Sequence, residues 1–293
     1  MNRFFSDKKA IMIFLLPALI FFVILVIVPI AVSAYYSLLD WKGVGEKTFI
    51  GFKNYIDMFA DKDNLFGISI WHSLILAALS LFVQIPIAMV LALVIARKTK
   101  GEGVFRSIYF IPVIISTAVL GQLWYKIYHP DNGLLNTILR LFGFDANHGW
   151  LSAETVLGAV FFVMIWQYIG YHMLLMYSQI KTIPQSLYEA AEIDGASSAQ
   201  MARKITIPLI TPMIKVCATF AIIGSLKAFD LIWVLSNSRP MNEVEVPATR
   251  FFVTAISQMR YGMGSAMAVF ILIECLIFTV VLQRVFKAEN YEY

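Results

Sequence analysis

The chain has 293 residues, 59% of them hydrophobic and 14% charged, against about 45–50% and about 25% in a soluble globular domain. The excess falls in runs of roughly 20 residues, the length that crosses a hydrocarbon core of about 30 Å. A soluble fold is thereby excluded, and the expected class is an all-α integral membrane protein. The net charge of +4 comes without a basic patch interleaved with aromatics, so nucleic acid is excluded as a partner and the charge reads as topology.

Six transmembrane helices are expected, at about 11–38, 68–96, 107–128, 155–180, 212–236 and 263–286. The first follows Arg3, Lys8 and Lys9 as a signal peptide would. It is longer than the roughly 7–15 apolar residues of a cleavable leader, and Pro17 and Pro29 suit a retained, kinked helix. The loop that follows, 39–67, mixes Lys and Asp with Trp41, Phe52 and Tyr55 and is expected to pack over the outer face. The loop at 129–154 opens on a turn cluster, Pro130-Asp131-Asn132-Gly133. The one at 237–262 contains "SRPMNEVEVPATRFF", long enough to dip toward a pore or to meet a partner. Arg3, Lys8, Lys9, Arg97, Lys98, Lys100, Arg106, Lys181, Arg203, Lys204, Arg284 and Lys287 cluster in short loops on one side. Lys42, Lys47, Lys53, Lys62, Arg140, Arg239, Arg250 and Arg260 are spread over the other. The first side is assigned to the cytoplasm, which places both termini inside.

Between the fourth and fifth spans stands "SLYEAAEIDGASSAQ", residues 186–200. Ser186 with Glu189 makes a capping-box pattern, so a short helix is expected from Leu187 to about Ile193. Asp194-Gly195 should break it, because glycine accepts a positive φ. Ser197 with Gln200 repeats the box and starts a second short helix toward Ile205, after which Pro208 and Pro212 punctuate the start of the fifth span. Such helices are marginal alone in water and need a surface, which points to a docking element; spacing alone leaves an ordinary interfacial loop as the alternative.

The stretch "EAAEIDGASSAQMARKITIPLITP" resembles the EAA-loop signature of the permeases of binding-protein-dependent ABC importers. The matching positions are Glu189, Ala190, Ala191, Asp194, Gly195, Ala196, Ile205, Thr206 and Pro208. Two positions depart from it: Ala202 stands where an aromatic is usual, and Ile207 replaces Leu before Pro208. "LLPALIFFVILVIVPIAVSAYYSLLDW" with "FIGFKNYIDMF", "FRSIYFIPVIIS", "KAFDLIWVLSNSRP" and "YGMGSAMAVFILI" extend the resemblance over nearly the whole chain, to the MalF-type carbohydrate uptake permeases. Ser238-Arg239-Pro240 stands where Gly-Gly-Pro is more usual.

The resemblance implies a type I importer fold in a prokaryotic inner membrane. It implies residues 1–66 as first helix and outer loop, 67–286 as the transmembrane domain with a coupling loop at 181–211, and 287–293 as a cytoplasmic tail. It further implies a second permease subunit forming a heterodimer, an extracytoplasmic solute-binding protein and a sugar substrate. No P-loop pattern G-x-x-x-x-G-K-[ST] occurs in the chain, so energy must come from elsewhere. The resemblance supplies two copies of an ABC ATPase that bind ATP and Mg; this chain would carry no cofactor and no catalytic residue. Glu189 would meet an ATPase arginine or lysine, or cap Ser186 locally, and Gly195 would be a hinge that a side chain obstructs.

A sugar has apolar C–H faces and polar edges, so its path should combine aromatic rings with amides and hydroxyls. Span four offers Trp166, Gln167, Tyr168 and Tyr171; Trp233, Ser236 and Asn237 are weaker candidates. Ordinary interfacial aromatics are the alternative. Each intramembrane charge costs about 2.5–3.5 kcal/mol on insertion scales. Lys227 and Asp230, three apart, are expected to pair on one helix face or to line the path, and Glu274 to face Lys227, Lys126 or a partner subunit. Gly262 with Ala266 and Gly264 with Ala268 give spacing for close helix packing. Cys217 and Cys275 read as small buried hydrophobes, and His72, His129, His148 and His172 show no ligand spacing, so no metal site is expected. A cytoplasmic acidic enzyme site at Glu189, Glu192 and Asp194 would need nearby His or Asp; the neighbouring loops carry Lys, Arg and Gly. Glycerol-3-phosphate or a peptide is the alternative solute, disfavoured by the lack of Arg deep in the spans.

Overall fold

The computed structural model describes residues 8–60, 65–97, 101–144 and 147–285, without the side chains of 8–11. Arg3, Lys62, Lys98, Lys100, Lys287, the side chains of Lys8 and Lys9, and the tail 287–293 therefore lie outside the described residues.

Among the described residues five helices are long and apolar enough to cross a membrane: α1 (Met12–Tyr36), α3 (Leu65–Ala96), α7 (Val156–Ile180), α9 (Ser198–Leu226) and α12 (Tyr261–Val285). Between them lie α2 (Lys53–Ala60), α4 (Glu102–Ile114), α5 (Thr117–Ile127), α6 (Leu134–Leu141), α8 (Gln185–Ile193), α10 (Asp230–Leu235) and α11 (Pro247–Phe252). Strands β1 (Leu39–Asp40) and β2 (Thr48–Phe49) pair antiparallel, Leu39 opposite Phe49.

Two expected spans are corrected. The third is no single rod: α4 and α5 meet at 97°. Ile115 is extended (ψ 134°), and the Ser116 hydroxyl accepts from the Val119 amide, starting a new helix. A hydropathy window passes over this cap because Ser116 and Thr117 are only two small polar residues in an otherwise apolar run. The fifth span begins earlier and ends sooner than expected: α9 runs from Ser198 to Leu226, and the chain breaks at Lys227–Phe229 before α10. Lys227 thus lies in the break and Asp230 at the start of the next helix, and among the described residues they form no ion pair.

Several prolines are absorbed by widening the helix. Val23–Ile27, Ser80–Gln84 and Ala202–Thr206 are π turns, each followed by a helix with proline in its first turn, namely Pro29, Pro86 and Pro208. Proline lacks the N–H that closes a regular turn and its ring crowds the preceding carbonyl; a local π turn re-spaces that carbonyl without ending the helix.

The chain divides into two compact units, residues 1–64 with 251–272, and 65–250 with 273–293. In the first, Asn54 is buried and donates to the Ser37 and Leu39 carbonyls at 2.8 and 2.9 Å, and Tyr55 donates to the Ser37 hydroxyl at 2.8 Å. Trp41 lies between Tyr36 and Tyr261, 4.8 and 5.6 Å between ring centroids, with the Lys47 ammonium over Tyr36 and Trp41. Gly262 packs against the Leu39 carbonyl and Gly264 against Ala255, so the small residues of α12 serve contacts within this unit.

In the second unit α7 is the central helix. Its C-terminal half packs Met173, Met176 and Ile180 against Ala88 and Ala92 of α3 and Cys217 of α9. Its other half packs Val156 and Val160 with Leu120, Leu231, Val244 and Val246. Small residues and backbone approach, not expulsion of water, hold helices together in lipid. At Gly170 the α4 backbone comes so close that a Cβ would overlap the Tyr109 carbonyl. The segment 241–250 returns into this unit. His72 Nδ1 is hydrogen-bonded to the Glu245 carbonyl at 2.8 Å, and the Glu245 carboxylate pairs with Arg250 at 3.5 Å. Glu245 is 3% exposed; burial pushes its carboxyl above the ordinary value, and Arg250 draws it partly back.

Candidate functional site

The polar segment between α7 and α9 forms a helix, a left-handed turn and a second helix start. Pro184 (ψ 131°) occupies the cap position of α8, so α8 starts at Gln185 and Ser186 already lies inside it. The expected Ser186–Glu189 capping box is therefore absent; Glu189 is exposed and makes no side-chain bond among the described residues. Gly195 has φ +75°, and a Cβ there would meet nothing of this chain. The second box is present: the Ser197 hydroxyl accepts from Gln200 N at 3.3 Å, and Gln200 Oε1 accepts from Ser197 N at 2.7 Å. From there α9 continues unbroken past Ile205 into its span, so the helix expected to end near Ile205 does not end there. Ala202 falls in the π turn, half-buried.

Glu189, Ala190, Asp194 and Gly195 are exposed, with Ala191, Ala196, Ile205 and Pro208 partly covered. Ile193 is 87% exposed. Tyr188 holds α8 to α9 through a 3.0 Å hydrogen bond with Thr206. At the start of the loop, Lys181 donates to the Ala96 carbonyl at 3.0 Å and pairs with Glu102 at 3.3 Å, while the Tyr177 hydroxyl also donates to Glu102. The Arg106 guanidinium lies over the Tyr177 ring, 5.1 Å from its centroid. The first residues of α4, the end of α3 and the loop are thus joined by one polar cluster.

The second candidate is a cavity of about 410 Å³ between α3, α7, α9 and the break before α10. Gln167, Tyr168, Tyr171, Lys227 and Asp230 line it; Trp166, Trp233 and Asn237 do not. Trp166 turns edge-on to Trp124 (5.3 Å), Trp233 stacks on Phe229 (5.8 Å), and Asn237 sits exposed in a left-handed turn (φ 56°). The wall also includes Ser80, Gln84, Thr117, His172, Phe220, Ser225 and Phe229, which the sequence reading passed over. Ser80 and Gln84 belong to the π turn of α3, and that turn before Pro86 was the available signal. Ser80 and Ser225 are hydrogen-bonded to each other at 2.9 Å. The Gln84 and Gln167 side chains, each 3% exposed, make no hydrogen bond among the described residues, so two amides face the cavity with donors and acceptors to offer. Glu274 is buried, and one of its carboxylate oxygens has no hydrogen-bond partner among the described residues; neither Lys227 nor Lys126 pairs with it. Among the described residues no group of His, Cys, Asp and Glu could hold a metal ion.

A broken third span, a helix-and-turn loop before the fifth and a polar cavity among the core helices are the build of a transport permease. Residues 84–288 match the binding-protein-dependent transport system inner membrane component family, and the chain belongs to that family. It is 34% identical over 285 residues to a probable ABC transporter permease protein, YurN, of Bacillus subtilis, covering 96% of this chain and 97% of that protein. It is 30% identical over 292 residues to the trehalose/maltose transport system permease protein MalF of Thermococcus litoralis, covering 96% and 95%. Its fold matches a chain of a bacterial ABC transporter involved in the import of the acidic polysaccharide alginate, with TM-score 0.84 and 24% identity over 99% of this chain and 100% of that one. The protein is accordingly a multi-pass inner-membrane permease component of a binding-protein-dependent ABC importer, and not an enzyme.

Proposed function

We propose that the chain, with a second and different permease subunit, forms the path for a sugar or oligosaccharide delivered by an extracytoplasmic solute-binding protein, and that two ABC ATPase subunits drive it. The observation that carries the sugar reading is the cavity of about 410 Å³, where the amides of Gln84 and Gln167, without hydrogen-bond partners among the described residues, stand beside the rings of Tyr168, Tyr171 and Phe220. Amides serve hydroxyl edges and rings serve C–H faces. The names of the trehalose/maltose relative and of a Streptomyces coelicolor diacetylchitobiose uptake permease, 30% identical over 271 residues, support the same class.

Lys and Arg placement favours both termini and the α8 loop on the cytoplasmic side. We assign 67–286 as the transmembrane domain, preceded by the first helix and outer loop and followed by a short tail, with 181–211 as the coupling loop. In this reading Glu189, Ala190, Ala191, Asp194, Gly195, Ala196, Ile205 and Pro208 meet the ATPase, the exposed Ile193 adding apolar area. ATP and Mg are bound there, not by this chain. Closure of the ATPase pair moves α8, and the helices behind it rock as rigid bodies.

The test is uptake by the assembled transporter in proteoliposomes, across labelled disaccharides, glycerol-3-phosphate and a short peptide. Saturable uptake of a sugar alone fits; uptake of the phosphate or the peptide instead overturns the substrate class. Gly195→Glu tests the docking. Within this chain it costs only the left-handed backbone strain, about 1–2 kcal/mol, too little to remove the protein from the membrane. Binding-protein-stimulated ATP hydrolysis should be lost; unchanged hydrolysis and uptake would refute the docking assignment.

A further inference from the structure

α6 is, among the described residues, the one helix of the 129–154 loop, and the turn cluster did not announce it. Its depth is fixed by hydrogen bonds to the end of a full span. Tyr128, the residue after α5, donates to the Ala159 carbonyl at 3.0 Å, so α5 ends level with the first turn of α7. Asn136 of α6 is fully buried. It donates to the Pro130 and His148 carbonyls at 2.8 and 2.9 Å and accepts from Trp150 Nε1 at 2.8 Å. Trp150 in turn stacks on Tyr128, 6.2 Å between centroids.

α7 has 25 residues, about 37 Å of helix, longer than a hydrocarbon core of about 30 Å. Its first turn therefore emerges at interface depth, where Tyr and Trp concentrate, and α6 is tethered at that depth. Arg140, the one charged residue of α6, is held by its own loop: its guanidinium donates to the Asp131 carbonyl and its Nε to the Asn136 carbonyl at 3.3 Å. Leu134, Ile138 and Leu141, spaced i, i+4, i+7, make one stripe that points away from the protein, Leu141 being 81% exposed. Phe142 and Phe144 continue it, also exposed.

We propose that α6 is an interfacial helix whose Leu134–Ile138–Leu141 stripe, with Phe142 and Phe144, lies in the headgroup–acyl boundary of the bilayer. The occupant of this face is lipid. The tether sets the helix at lipid depth, and the stripe carries no charge with which to select a protein partner. The helix then acts as a float that keeps the end of α5, the second leg of the broken third span, at constant depth.

Nitroxide labels on Thr137→Cys, Ile138→Cys and Leu141→Cys test this, with Cys217 and Cys275 replaced by alanine. The assembled transporter is placed in phosphatidylethanolamine–phosphatidylglycerol vesicles, and collision rates with oxygen and with a nickel chelate are measured. The ratio of oxygen to nickel accessibility should be several-fold higher at 138 and 141 than at 137. Equal nickel access at all three sites would put the stripe in water and overturn the proposal. Exclusion of both reagents from 138 and 141 would mean a protein covers it, and would overturn it equally.

Discussion

Gly170→Ala puts one methyl group where two helices meet backbone to backbone. A Cβ at Gly170 would stand under 3.0 Å from both the carbonyl oxygen and the carbonyl carbon of Tyr109, and 3.1 Å from Phe110 N. These atoms belong to the α4 backbone and cannot swing aside as a side chain could, so α4 and α7 must separate. Overpacking a well-packed site costs about 1–3 kcal/mol, and an obstructing backbone puts this site at the upper end, about 3 kcal/mol. At ~2–4 °C per kcal/mol for a chain of this size class, the midpoint of thermal unfolding in detergent should fall by about 6–12 °C. Gly158, on the same helix with nothing within 4 Å of its Cβ position, is the control, and Gly158→Ala should not lower the midpoint. The assay is fluorescence-detected thermal unfolding of the purified complex. A Gly170→Ala midpoint equal to that of wild type and of the control would refute the close approach of α4 and α7.

Other expectations are smaller or more local. Gln167→Leu should raise the half-saturating sugar concentration by roughly the loss of one neutral hydrogen bond, about 1 kcal/mol or fivefold, with ATPase assembly unchanged. Trp166→Ala, on the far side of the helix from the cavity, should leave that concentration alone, and the reverse pattern in uptake kinetics would displace the path. Burial raises the Glu245 carboxyl above its unfolded-state value, so the native protein keeps this proton to higher pH than the unfolded chain. The residue's contribution to stability therefore falls as pH rises from the unfolded-state value through the raised folded-state one. Glu245→Gln should flatten that part of the pH–stability profile, and an unchanged slope would discount the burial. Ser225→Ala removes the Ser80–Ser225 hydrogen bond and should cost about 0.6 kcal/mol, the average for such bonds between membrane helices, visible as a small shift in thermal midpoint.

Apolar run length was enough to read four of the spans to within a few residues, because a continuous helix must satisfy its own backbone in lipid and its length is set by the bilayer. The Asp194-Gly195 break and the Ser197–Gln200 box were legible for the same kind of reason: each is decided by atoms within a few residues. Where a second element competes, the sequence lost its grip. Ser186 looks like a cap but Pro184 takes that place; Lys227 and Asp230 look like a helical pair but the chain breaks between them. Ile115 ends one helix and Ser116 starts another inside a mostly apolar run.

The cavity was legible only in part. Gln167, Tyr168 and Tyr171 share a face of α7, yet Trp166, next to them in sequence, points to Trp124 because successive residues on a helix lie about 100° apart. Gln84 and Ser225 join the wall only through the packing of α3 and α9 against α7. The sequence by itself determined what each segment must do in a bilayer. Only tertiary contacts, which act between residues remote in the chain, decided which side chains face one another across the space between those segments.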